Sequence, residues 1–156
     1  MFCRGKKAFT KQKYFLGVYL FPALYCVIKK VMDNITQKLT DKLQEFYSSF
    51  ISKDWSRFSS ILSDEFSYFG DNMTVMNKVS FVEFLSKDKW NGESFEVSNL
   101  TANISAGDDL GVLAYHIFFR GSINGKSSEV SAVETMAFIK ENSDWKIIHC
   151  HVSNRY

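Results

Sequence analysis

The stretch Ala132–Ser153, AVETMAFIKENSDWKIIHCHVS, decides the fold. A mostly apolar run, broken by Glu134 and Thr135, leads up to a polar turn at Asn142-Ser143-Asp144, and a second apolar run follows from Trp145. Two apolar runs on either side of a short polar turn read as two long antiparallel strands. The period of a strand settles the His149-Cys150-His151 triplet. Neighbours in a strand point to opposite faces, so Cys150 faces away from both histidines and no Cys/His dyad forms within the strand. The two histidines share a face, roughly 6.5–7 Å apart at the backbone. A metal site needs a third ligand, and His116 is the chain's only other histidine. The expectation is no metal, with the histidines hydrogen-bonded on a sheet face or at an interface.

Working back from this hairpin, Ser127–Glu141 pairs with Leu110–Gly121 across Asn124-Gly125, a strong two-residue hairpin signal. The Leu110–Gly121 run is apolar on both faces. In Ser94–Ser105, Phe95 and Val97 are apolar at odd positions, then Leu100, Ala102 and Ile104 at even ones, so a bulge or bend is expected near Ser98–Asn99. Trp90–Gly92 reads as loop. Upstream, a helix is expected over Asp33–Ser52, capped by Asn34 with Gln37 as the reciprocal partner and burying Ile35, Leu39, Leu43, Phe46, Phe50 and Ile51. Asp54 caps a short second helix whose face carries Trp55, Phe58, Ile61 and Leu62. Asp64–Gly70 reads as a strand with Phe66 and Tyr68 on one side. Ser80 and Glu83 form a capping box for a third helix ending near Ser86, with Val79 stapled onto Phe84. Three helices and a meander of antiparallel strands make an α+β domain.

Bulk composition narrows the function classes. A chain of 156 residues, 46% hydrophobic and 23% charged, fits one globular domain with a sizeable core. Aromatic residues at 16% point to a large core or an aromatic-lined cavity. The net charge of +2 is uneven: residues 1–31 hold seven Lys/Arg and no acid, whereas residues 32–156 hold twelve against seventeen Asp/Glu, a net of −5. An acidic folded part argues against a nucleic-acid partner. Cys3, Cys26 and Cys150 provide no disulfide framework, because only Cys150 lies in that part. No phosphate loop, nucleophile elbow or zinc-type cysteine spacing occurs, so no cofactor is expected.

Residues 1–31 form a separate basic and hydrophobic extension, with residues 32–156 as the domain proper. The extension has the charged and apolar regions of an export signal but no small-x-small cleavage site, and Pro22 interrupts its apolar run. Met32 stands directly before a helix start as an alternative beginning. The expected location is cytoplasmic, with export the alternative if the extension acts as a signal, and a membrane role only if residues 14–31 serve as an anchor. Sequons at Asn34, Asn72, Asn99 and Asn103 would suit an exported chain, but two fall in an expected strand.

The order helix–helix–strand–helix, then four long strands ending in W-K-I-I-H-C-H-V-S, resembles the nuclear transport factor 2-like superfamily. More narrowly it resembles the SnoaL-like group and the association domain of calcium/calmodulin-dependent kinase. The resemblance covers residues 33–155 in architecture and about the last twenty-five residues in motif. It implies a cone-shaped, strongly curved antiparallel sheet wrapped around the three helices, a pocket at the open end, and a homodimer through the outer sheet face. It also implies that Glu134, Met136 and Phe138 face the cavity with Ile148, Cys150 and Val152, leaving His149 and His151 outside. The kinase domain's pocket arginines fall on Met136 and Val152 here, so its ligand chemistry does not carry over to this chain.

Two titratable residues stand out within that frame. Glu134 lies on an otherwise apolar stripe, where desolvation raises a carboxyl pKa, the condition used for acid–base work; the plain alternative is a structural hydrogen bond. His116 lies mid-strand beside Tyr115 and would form a proton-transfer dyad with Glu134 if both faced one cavity. Tyr68 and Trp90 are placed at the pocket mouth or in simple packing. The expected function is binding of a small, mostly apolar molecule in the cone. The alternatives are an isomerase, cyclase or dehydratase using Glu134 and His116, and a non-catalytic assembly module.

Overall fold

The computed structural model describes the backbone of residues 21–154, with side chains from Val31 onward except Asn72. The reading of residues 1–20 lies outside the described residues. Three α-helices pack on one face of a six-stranded sheet of order β2-β1-β6-β5-β4-β3. The chain runs α1 (Phe21–Ile51), α2 (Trp55–Ile61), β1 (Leu62–Phe69), a 3-10 turn (Asp71–Met73), β2 (Val75–Asn77) and α3 (Lys78–Ser86). Strands β3 (Trp90–Ile104), β4 (Leu110–Ile123), β5 (Lys126–Glu141) and β6 (Asp144–Asn154) complete it. The sheet is curved and unclosed, and with the helices on its concave side it makes the α+β cone.

Helix α1 lays Ile35, Leu39, Leu43, Phe46 and Tyr47 into the core, one stripe at helical spacing. It is already helical at Phe21, well before Asp33, so Asn34 sits within the helix and is not its N-cap. Asp54 does cap α2, its carboxylate accepting from the Arg57 N–H at 3.0 Å. Arg57 then reaches Glu45 at 3.0 Å and ties α2 to α1. The capping box of α3 lies three residues earlier than expected: Asn77 is the N-cap, Ser80 is its reciprocal partner, and Asn77 Oδ1 accepts from the Ser80 N–H at 3.0 Å. Val79 and Phe84 are both exposed and form no staple that buries either.

The long strands follow the expected hairpins. Asn124 and Gly125 both have positive φ, 52° and 77°, as the tight turn requires, and Ile123 pairs with Lys126. Asn142 and Ser143 make the next turn the same way, at 47° and 71°. The phase slip in β3 is a bulge: its register against β4 shifts between Ser98 and Thr101, and Asn99 takes φ 52°. Trp90–Gly92 opens β3 instead of forming a loop, pairing with Ile123–Gly121.

Two features correct the antiparallel meander. Strand β1 pairs with β6 in parallel, Tyr68 opposite Cys150, so the sheet is mixed. The short strand β2 then pairs with β1 at the edge. A further bulge, between Ala137 and Phe138 in the β5–β6 register, leaves Ile148 without a partner. Ile147 rather than Ile148 therefore takes the buried position beside Phe138.

Candidate functional site

The hollow lies between the three helices and the concave sheet face, with a volume of about 350 Å3. Aromatic rings form a large part of its wall. Phe46 and Phe50 come from α1, Phe58 from α2, Phe81 from α3 and Phe119 from β4. Trp90 stacks on Phe50, ring centroids 5.6 Å apart and planes 11° apart. It fits because Gly92 and Gly121 have no side chains: a Cβ on Gly121 would come within 2.7 Å of the Trp90 indole. The Trp90 N–H is buried and has no hydrogen-bond partner among the described residues.

The polar centre of this hollow is Glu134, only 6% exposed. Tyr115 Oη donates to its Oε2 at 3.0 Å, and Tyr47 Oη donates to the same oxygen in a short bond. The two phenol oxygens also meet at 2.6 Å. When Glu134 is ionised, both phenol protons go to Oε2 and none remains for the Tyr47–Tyr115 contact. Protonating the carboxyl supplies the third proton, so the cluster is built to hold one. Burial pushes the Glu134 pKa up to about 7, while the two phenols oppose the rise. Burial and the nearby carboxyl raise Tyr47 and Tyr115 well above the usual phenol range. The same causes raise the Cys150 thiol, and burial takes Tyr68 to about 12. All four remain protonated at neutral pH.

Of the residues singled out in the sequence, Tyr68, Trp90, Glu134, Cys150 and Val152 border the hollow together. Met136 and Phe138 face the same side but are fully buried, filling the core instead of lining the cavity. His116 is not with them. It pairs with Val133 across the sheet and turns to the opposite face, near Asn99 Nδ2 at 3.4 Å. The His116–Glu134 dyad is therefore not assembled: the residue opposite Glu134 is Tyr115. His149 and His151 lie on the outer face, His149 meeting Ser67 Oγ at 2.8 Å and packing on Phe69. The described residues contain no group of three or more His, Cys, Asp or Glu side chains placed to hold a metal.

Sequence reasoning missed both phenols, although each left a signal. Tyr47 continues the Leu39–Leu43 stripe by one further step of four. Tyr115 follows from hairpin arithmetic: a turn pairing Ile123 with Lys126 places residue 115 opposite residue 134 and residue 116 opposite 133.

Helices on one side of a curved sheet and a polar cluster at the bottom of an aromatic hollow define a nuclear transport factor 2-like cone. The chain belongs to the SnoaL-like domain family, which matches residues 39–156. Solved structures give the same fold. A nuclear transport factor 2-like superfamily protein from Salmonella enterica serovar Typhimurium superimposes with a TM-score of 0.70 at 16% identity, over 80% of this chain and 94% of that one. For an NTF2-like protein from Cytophaga hutchinsonii the values are 0.69 and 13%, over 77% and 98%. The association domain of C. elegans CaMKII gives 0.64 and 18%, over 76% and 94%. No curated protein matches the chain in sequence. Among the described residues, no helix is long and apolar enough to cross a membrane.

Proposed function

We propose that this domain binds a small, mostly apolar molecule in the cone, oriented by Glu134. The observation that carries this reading is a buried carboxyl group at the base of an aromatic hollow of about 350 Å3. Both phenols spend their hydrogen bonds on Oε2, so Oε1 is left for a ligand. Proton transfer is the related alternative. With His116 on the other face, such an enzyme would have to work through Glu134, whose pKa of about 7 suits either donating or accepting a proton.

Self-association through the outer sheet face is compatible with either reading. It is supported by the absence of any described helix on that face and by the association and hub domains among the structural neighbours. Native mass spectrometry of the protein purified from its source tests both points. A retained small molecule and an even subunit count are expected. Ligand-free protein from every preparation, together with failure of a small-molecule panel to raise the melting temperature, would remove the binding reading.

A further inference from the structure

We infer that the hollow selects an organic amine, seating a protonated nitrogen against Glu134 Oε1 and an apolar body among the aromatic rings. This deepens the small-molecule reading above and rests on it. Three observations converge on a cation. First, among the described residues the wall carries two carboxyl groups, Glu134 at the base and Asp88 at the mouth, and no Lys, Arg or His. Lys53 donates to Asn91, and Lys87 is paired with Glu83. An anionic ligand would meet acids with no counter-charge, which is costly in a partly dry site.

Second, aromatic rings make up a large share of the wall, beside the aliphatic Leu85, Ile123, Val130, Ala132 and Val152. Phe50, Trp90 and Phe119 form one packed group, with Trp90 edge-on to Phe119 at 5.7 Å. Aromatic faces carry negative potential and attract an ammonium group, which aliphatic side chains do not. Third, Oε2 is already saturated by Tyr47 and Tyr115, whereas Oε1 takes no hydrogen bond from the described residues. An ammonium donor fits that acceptor, and a carboxylate or phosphate does not.

The groups facing Glu134 set how binding depends on pH. Tyr47 approaches from α1, Tyr115 from β4, Cys150 from β6 and Tyr68 from β1, all neutral near pH 7. Asp88 lies beyond them on the rim after α3. Glu134 is therefore the one group in the cluster that changes charge in this range. An ammonium ligand favours its ionised form, so binding below pH 7 releases the carboxyl proton to solvent.

The experiment uses three probes of one shape on the full chain: 2-phenylethylamine, 2-phenylethanol and 3-phenylpropionate, titrated calorimetrically at pH 6 and pH 8. The amine is expected to bind about tenfold more tightly at pH 8, as a carboxyl titrating near 7 becomes ionised, and to release close to one proton per site at pH 6. The alcohol should bind more weakly at pH 8 and gain nothing between the two values, and the carboxylate should not bind. Glu134→Gln should abolish the amine's advantage and its pH dependence while keeping alcohol binding. Asp88→Asn, on the exposed rim, should keep the pH dependence and weaken the amine a few-fold, a check that survives if Glu134→Gln fails to fold. If the alcohol or the carboxylate binds as tightly as the amine at pH 8, the amine inference is wrong and the small-molecule reading stands. If none of the three binds at millimolar concentration, both fall.

Discussion

The two faces of β4, β5 and β6 carry neighbouring residues in opposite conditions. On the inner face, Tyr115, Glu134 and Cys150 are buried together, and desolvation governs their protonation. One residue away on the outer face, His116, Val133 and His151 share the same backbone and meet solvent. The chemistry of this chain follows from which side of the sheet a side chain points to, more than from residue type. His116 is the better acid–base residue by type, yet it is Glu134 that borders the hollow, where burial raises its pKa to about 7.

The largest test of this contrast is packing. Phe138 is fully buried on the inner face, so Phe138→Ala should cost about 3–5 kcal/mol in urea unfolding. Phe118 is half-buried on the outer face under the Arg120 guanidinium, 4.8 Å from its ring, and Phe118→Ala should cost below about 1.5 kcal/mol. Equal losses would mean that the outer face is also packed, as in a tight dimer.

The next effect is electrostatic. Glu134 has a folded pKa of about 7 against an ordinary 4.5. Between these values the unfolded chain has lost this proton and the folded chain keeps it. Stability should therefore fall as pH rises from 4.5 to 7, by on the order of 3 kcal/mol from this group. Glu134→Gln should flatten that part of a chemical-denaturation profile measured from pH 4 to 8. On the outer face the sign reverses. Burial, then the neighbouring His151, holds the His149 imidazole below its usual 6.5, so its contribution is present above that value and is lost as pH falls. His149→Gln should remove a smaller acid-side loss.

A finer test is Tyr115→Phe, which deletes one donor to the ionised carboxyl. The Glu134 titration, followed by carboxyl carbon NMR, should move upward by on the order of one pH unit. The smallest effect is expected for His116→Gln, within about 0.5 kcal/mol in stability and with no change in the Glu134 titration. A shift there comparable to that of Tyr115→Phe would place His116 in the cluster after all.

Much of the fold was legible because its signals are local. Asn124-Gly125 set the β4–β5 register, and this one held over every pair from Ile123↔Lys126 to Leu110↔Ile139. The slip between Val97 and Leu100 announced the bulge at Asn99. The site was half legible. Glu134 showed as a charge on an apolar stripe, but β4 is apolar on both faces, so hydrophobicity alone gave no basis for choosing Tyr115 over His116. The β5–β6 turn would have misplaced Ile148, since the bulge there has no sequence mark: the register offset appears only after the strands pair. Trp90–Gly92 read as loop, whereas it opens β3 and Gly92 leaves room for the indole.

The sequence by itself determined the helices, the long strands, the hairpin turns and a buried carboxylate, because periodicity and turn chemistry act over a few residues. Only the tertiary structure decided that β1 lies parallel to β6 and that Tyr47, sixty-eight residues from Tyr115, joins it on one oxygen of Glu134. Those contacts depend on how the sheet curves around α1. Curvature sums small twists and bulges along four long strands, so it belongs to the assembled sheet and to no single stretch of it.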